Sequence, residues 1–376
     1  MVISLIFNNA KRLHFVLLTT ILFLSLGEFV GAFWADSHLG KIDPAGIEKV
    51  VITRYNSKDG ALWLELDSLI VEFDSRGNTI SESKTATDGV VEFAYSYLYE
   101  EDRLLSMHGK RLVGEEFLEF SYLYTYDNHG RQIEGTKYSL EGDVISIYTA
   151  RYDEKGNFVE GNDRSFESST GSRYIARYDD NGNLLEEKRY IVYDYKGSEG
   201  LQLEYKCAYE YDEDNNLVAE IGYDEYEEVT YSYTYQYDQP GNLVQALSYG
   251  PNGKIITEYR AEYDEESNLH RFTMYDGQGN VVVRHEAQYE LGKMISEYDC
   301  LKDPAKLLYS ASYDEDGRVL EEINYDKYLS GAFITYSYEF RYDERGNCIE
   351  EIYRVFFEDE QEWRAKIGRA SCRERV

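Results

Sequence analysis

Residues 229–242 read VTYSYTYQYDQPGN. Tyr231, Tyr233, Tyr235 and Tyr237 alternate with Ser232, Thr234 and Gln236, so an extended chain carries four rings on one face and small polar groups on the other. The alternation stops at Asp238-Gln239-Pro240-Gly241-Asn242. There the Asp side chain can hydrogen-bond the backbone just beyond it, and Gly241 supplies the positive φ that closes a short hairpin. The stretch predicts a two-faced strand ending in a tight turn.

The same anchor recurs at Phe73, Tyr99, Tyr126, Tyr152, Tyr178, Tyr211, Tyr237, Tyr263, Tyr289, Tyr313 and Tyr342, and six of the ten intervals are 26 residues. A fixed period of this kind is the signature of a tandem-repeat architecture. The turn anchors are Asp127 and Gly130, Asp153 and Gly156, Asp179 and Gly182, Asp238 and Gly241, Asp314 and Gly317, and Asp343 and Gly346. A weaker turn lies half a period later, as in YSLEGDV after Tyr138, YGPNGK after Tyr249, YDGQGN after Tyr275 and NYDKYLSG after Asn324. Each unit therefore holds two strands, and about twenty to twenty-two strands follow as a meander. The 33-residue step from Tyr178 to Tyr211 reads as a lengthened loop around YDYKGSEG.

The predicted fold is all-β: a long antiparallel meander of two-strand units of about 26 residues, in a curled or spiralling sheet. Tyr336, Tyr338 and Phe340 repeat the pattern of Tyr231 to Tyr237, and elsewhere the middle residue shrinks to Ala, as in Tyr174-Ala176-Tyr178. After the anchors, Leu217, Ala219, Ile221 and Tyr223 are in register, as are Val319, Ile323 and Tyr325. The candidate binding residues on the aromatic face are Tyr231, Tyr233, Tyr235, Tyr237, Tyr336 and Tyr338. Left in water, such a face invites aggregation, so the sheet must curl, pair with a second layer or be covered by a partner. Exposed rings flanked by acids would suit sugar stacking; enclosed rings would form a core.

The ends differ from the middle. Lys11 and Arg12 precede an apolar run from Phe15 to Leu26, and Val30-Gly31-Ala32 offers a cleavage site, which predicts a signal peptide over 1–32 cut after Ala32. A retained anchor is the alternative, although the run is shorter than the ~20 residues of a bilayer span. Residues 33–70 are expected to cap the sheet and lead into it, and residues 71–365 to form the repeats. Lys366 to Val376 reads KIGRASCRERV, which looks like a translated sequencing adapter, so the natural C-terminus is expected to be missing.

Between these ends, 33 basic face 69 acidic side chains. That excess argues against nucleic acid and anionic membranes as partners, because both require cations to neutralise phosphate. Protein, cell-surface or glycan partners remain, with no membrane insertion after signal cleavage. Cys207, Cys300 and Cys348 form an odd set with no metal-like spacing and read as lone thiols.

The YDxxGN and YDxxGR anchors, the paired hairpin turns and the Tyr-rich strands resemble the YD-repeat, or rearrangement-hotspot (Rhs), family of exported bacterial proteins over most of residues 71–360. The resemblance implies a β-spiral working in cell-surface contact or toxin delivery, in some members as a shell enclosing a C-terminal toxin. The unit here is longer than the family's usual one, Asn is favoured over Arg after the glycine, and no toxin region is present. The expectation is an exported non-enzymatic scaffold, with a glycan-binding adhesin or the N-terminal part of a toxin-enclosing shell as alternatives.

Chemistry-bearing motifs are few. His285-Glu286 begins no HExxH pair because residue 289 is Tyr, and no GxSxG elbow or phosphate loop is present. Glu186-Glu187 and Glu321-Glu322 read as solvated strand charges. Asp212-x-Asp214-x-Asn216 has suggestive oxygen spacing, but Leu217 and Tyr223 stand where an EF-hand needs Gly and Glu. No catalytic residue, metal site or cofactor is expected.

Overall fold

The computed structural model describes residues 47–58, 61–168, 170–195, 198–301, 304–327, 333–346, 348–357 and 362–374. Among them lie twenty-four strands and no helix. The first eight are β1 (Ile47–Lys58), β2 (Ala61–Phe73), β3 (Thr79–Ala86), β4 (Val91–Glu100), β5 (Arg103–Val113), β6 (Glu116–Tyr126), β7 (Gln132–Ser139) and β8 (Val144–Tyr152). The middle eight are β9 (Phe158–Ser165), β10 (Thr170–Tyr178), β11 (Leu184–Tyr195), β12 (Ser198–Tyr211), β13 (Leu217–Tyr223), β14 (Val229–Tyr237), β15 (Leu243–Tyr249) and β16 (Ile255–Tyr263). The last eight are β17 (Leu269–Asp276), β18 (Val281–Glu290), β19 (Lys293–Asp299), β20 (Lys306–Tyr313), β21 (Val319–Lys327), β22 (Phe333–Tyr342), β23 (Cys348–Phe357) and β24 (Glu362–Glu374).

Each strand pairs antiparallel with its neighbour in sequence, as a meander of hairpins requires. The sheet curls far enough that β24 also pairs with β1, from Ile47↔Glu374 to Ser57↔Ala365. That ladder uses backbone groups, which any non-proline sequence supplies, so most of the 366–376 tail joins it.

The anchor turn shows why the repeat is written as it is. In the turn after Tyr178, the amide of Asp179 donates to the carbonyl of Asn183 at 2.9 Å and that of Gly182 to the carbonyl of Asp179 at 3.2 Å. Gly182 sits at φ +87°, where a Cβ would be strained. Oδ1 of Asp179 accepts from the amides of Asn181 and Asn183, both at 2.8 Å, and Oδ2 accepts from Nδ2 of Asn183 at 2.9 Å. Where Arg replaces that Asn, the Nε of Arg131 or Arg318 takes over the bond to Oδ2 of Asp127 or Asp314. The Asn/Arg alternation thus preserves one N–H donor. After Tyr289 the loop is one residue shorter: Glu290 pairs with Lys293, and Leu291 and Gly292 both have positive φ, as a two-residue type I′ turn demands.

Each of these glycine turns closes on a β-bulge. Tyr178 faces Leu184 while Arg177 faces Glu186, so Leu185 is the extra residue and the faces exchange. This corrects the strict alternation expected after the anchors. In β13, Leu217 faces Tyr211, but it is Glu220 that faces Tyr209, and Ala219 and Ile221 turn to the other side. The lengthened loop of the fifth unit is also corrected. Its extra residues extend β11 and β12, which pair out to Tyr195↔Ser198, because IVYDY and LQLEY alternate as strand sequences do. The strand count exceeds twenty-two because β1 and β24 join the sheet beyond the eleven counted units. The predicted segment 1–32 and the turn at 328–332 lie outside the described residues.

The core lies on the tyrosine face. Tyr148, Phe158, Tyr174, Ala176, Leu184, Cys207 and Tyr209 form one buried cluster, and Tyr259, Ala261 and Phe272 another. A third joins Phe340 and Cys348 of β22 and β23 to Val50, Ile52, Leu69, Phe93, Tyr95 and Phe120. That cluster bridges the two ends of the chain, which the β1–β24 ladder brings together.

Candidate functional site

The four tyrosines that define the repeat lie side by side on β14. Tyr231 donates its hydroxyl to Oε1 of Glu220 at 3.0 Å, Tyr235 to Oε2 at 3.4 Å, and Tyr237 to the carbonyl of Leu217 at 2.9 Å. Tyr233 stacks on Tyr235 at 6.2 Å between centroids and stays 37% exposed. Tyr338 is half-buried and packs on Tyr353 at 4.9 Å; Tyr336 lies on the same strand, its side chain outside the described residues. The structure therefore brings Tyr231 to Tyr237 together but leaves most of this row engaged inward.

The anchor tyrosines repeat one device. The hydroxyls of Tyr126, Tyr152, Tyr178, Tyr237, Tyr263, Tyr313 and Tyr342 each donate to a backbone carbonyl near the start of the preceding unit's second strand, from Leu104 to Val319. Each of these seven units is clamped to the one before it. Burial pushes the Tyr178 hydroxyl up to about 12. Arg131, Lys293 and Arg318 lie over the rings of Tyr152, Tyr313 and Tyr342, adding a cation–π contact from one unit to the next.

The bulge brings a second row of residues to this face, nine residues after the anchor. It holds Glu82, Gly135, Gly161, Glu187, Glu220, Ala246, Phe272 and Glu322, with Glu297 one residue earlier after the short turn. Glu187 is 3% exposed and accepts from Tyr174 at 2.7 Å and Tyr209 at 2.9 Å. Glu82 accepts from Tyr97, and Glu297 meets Nδ1 of His285 at 2.7 Å. At Gly161 the row serves differently: a Cβ there would lie 2.6 Å from Cζ of Phe158, so glycine lets that ring cover the backbone. The reading of Glu187 and Glu322 as solvated is corrected, since Glu322 is half-buried and holds the amide of Asn324 at 2.9 Å. Sequence reasoning missed this row because the bulge reverses parity; the recurrence of Glu at a fixed offset from the anchor was the available signal.

Electrostatics follow burial. Burial raises the carboxyls of Glu82 and Glu220 above the usual range, offset in part by the tyrosine hydroxyls they accept. The hydroxyls of Tyr174 and Tyr209 are pushed up by burial and by the Glu187 charge beside them. Burial also raises the thiol of Cys207, and that of Cys348 to about 12, which keeps both in the unreactive form. The turn carboxylates are occupied by amide donors, those of Asp212 by the amides of Asp214 and Asn216 and by Nδ2 of Asn216. The opposite face carries ion pairs, among them Arg151–Glu160 at 2.6 Å, Arg173–Glu160 at 2.7 Å and Arg271–Glu286 at 2.8 Å.

No family model matches the chain, and no curated protein matches its sequence. Among solved structures, a porin-like protein from Bacteroides uniformis aligns at 9% identity over 88% of this chain and 99% of that one, with a TM-score of 0.25. A porin-like protein from Bacteroides vulgatus aligns at 12% identity over 65% and 98%, with a TM-score of 0.18. A Bacteroides fragilis protein of unknown function aligns at 16% identity over 42% and 91%, with a TM-score of 0.14. Likenesses this distant carry no argument about this chain.

Proposed function

We propose that the chain is an exported, non-enzymatic scaffold of the YD-repeat type that works through protein or surface contacts at or outside the cell envelope. The observation that carries this reading is how the polar side chains are spent: the anchor tyrosines and turn aspartates hold backbone of their own or the preceding unit. Groups so committed are not poised as acids, bases or nucleophiles. The reading also keeps the mature chain out of the bilayer, because Glu187 and Glu220 lie on one face and Glu160 and Glu286 on the other. A lipid-facing strand surface needs an apolar band instead.

The test is to express the full-length chain in a bacterial host and determine the mass and compartment of the product. Cleavage after Ala32 with recovery outside the cytoplasm is expected. An unprocessed cytoplasmic product would overturn the reading. Exposure of the Tyr233 ring favours a second reading, sugar stacking on β14. Retention on a glycan array, lost in Tyr233→Ala, is its expected sign, and equal retention by the variant would exclude it.

A further inference from the structure

Eleven residues after the anchor, on the tyrosine face, Lys84 and Lys137 occupy equivalent positions in the first and third units. Lys84 places its ammonium 3.4 Å from Asp67, which is buried, and 2.5 Å from Glu92. Lys137 places its ammonium 4.9 Å from the ring centre of Phe120 and 5.7 Å from that of Tyr122. The face thus accepts ammonium groups between rings and carboxylates.

In the fourth unit the same position is Asp163, and the sign is reversed. Asp163 stands opposite Tyr148 on β8 and Ser172 on β10. Tyr148 is 7% exposed, and its buried hydroxyl has no hydrogen-bond partner. Burial raises the Asp163 carboxyl, opposed by the Arg189 guanidinium and by the amide of Arg164. Of the cations on nearby strands, Lys137 lies over its rings, and Arg189 pairs with Glu204 at 3.2 Å while its charge also reaches Asp163. A carboxylate, a phenol without a hydrogen-bond partner and a serine hydroxyl thus stand at one cross-strand register of β8, β9 and β10. They offer three oxygen acceptors beside an aromatic wall formed by Phe158 and Tyr174, stacked at 5.5 Å.

We propose that Asp163, Tyr148 and Ser172 form a binding site for a primary ammonium group supplied from outside the chain. An ammonium has three donors and no acceptor, which matches three oxygens, and a ring wall adds a favourable cation–π term. The net charge of −32 concentrates cations at the surface and disfavours anionic ligands. Lys84 and Lys137 show the same chemistry satisfied from within. The ammonium can come from a free aliphatic amine or from a lysine side chain of a partner protein.

The test is calorimetric titration of the full-length chain with cadaverine, with Nα-acetyl-lysine amide, and with 1-pentanol as a neutral control. Saturable binding of cadaverine with none of the alcohol is expected. Binding of the lysine amide as well assigns the site to a partner's side chain, and its exclusion assigns the site to free amines. Asp163→Asn is expected to weaken binding about tenfold or more, as loss of a charge-assisted bond does. Asp163→Lys, which supplies the ammonium internally as Lys137 does, is expected to abolish binding and to melt no lower than the parent. Alcohol binding equal to that of the amine overturns the proposal in the unmodified chain alone. Undiminished affinity in either variant overturns it too.

Discussion

The two rims of the sheet are built on the same backbone turn and differ in what surrounds it. At the anchor rim, Asp179 closes its loop through three side-chain bonds and Tyr178 ties the unit to the carbonyl of Phe158. At the opposite rim the loops vary: that from Ser139 to Asp143 has the same pair of backbone bonds, with Gly142 at φ +90°, but only Ser139 Oγ accepting from the Asp143 amide at 3.2 Å, whereas Asp276 accepts from the amides of Gln278 and Asn280 and from Nδ2 of Asn280 as Asp179 does, without a tyrosine clamp to the preceding unit beside it among the described residues. There Leu140, Phe166 and Tyr226 point to solvent. One rim holds successive units in register, and the other is free to vary in length and composition. The β11–β12 hairpin, the longest departure from the period, accordingly extends at the free rim.

The largest difference between the rims is expected at the tyrosines. Tyr178→Ala removes a packed ring and the bond to Phe158, and is expected to cost upward of about 2 kcal/mol in urea unfolding. Tyr226→Ala at the free rim, where the ring is 77% exposed, is expected to stay within about 0.5 kcal/mol. Equal effects would erase the distinction between rims. The glycines are expected to behave alike at both rims: Gly182→Val and Gly142→Val both place a β-branched residue at positive φ and are expected to cost a similar ~1–2 kcal/mol each. A large difference would show that the two turns do not share a backbone. Tyr178→Phe keeps the ring and loses only the hydroxyl bond, so about 1 kcal/mol is expected by the same measurement.

The smallest effect is in pH. The Arg131 side chain beside Asp127 holds its carboxyl down to about 2, from an ordinary 3.8. A carboxyl depressed in the folded state stabilises fully above its unfolded value and loses that contribution as pH falls through the folded one. Melting curves of the parent and Asp127→Asn are therefore expected to differ at neutral pH and to converge between about pH 4 and pH 2. Glu82 and Glu220, raised by burial, work in the opposite sense and gain as they protonate. A gap that persists at pH 2 would show that the clamp does not depend on the charge.

Much of this organisation was legible in the sequence because it is local. Asp, Gly and Asn within five residues encode the turn through bonds they make to one another, and rows such as Tyr231 to Tyr237 encode a face through period two. The glutamates were not legible. Reading Glu187 correctly required knowing that Leu185 bulges, which shifts every later residue of β11 to the other side. The same blindness hid Asp163 behind an apparently polar stretch, GNDRS. Tyr336 and Tyr338 were grouped with the β14 tyrosines by pattern alone, whereas Tyr338 packs on Tyr353 of β23.

The repeat, the anchor turns and the aromatic face are encoded locally, since each rests on contacts between near neighbours in the chain. Which carboxylates share that face, the clamping of unit to unit by tyrosine hydroxyls, and the return of β24 to β1 are settled by the folded sheet. Those outcomes depend on bulge register and on curvature accumulated over twenty-four strands. Pairing of this kind joins residues more than three hundred positions apart, from Val50 to Cys372, and no local pattern specifies it.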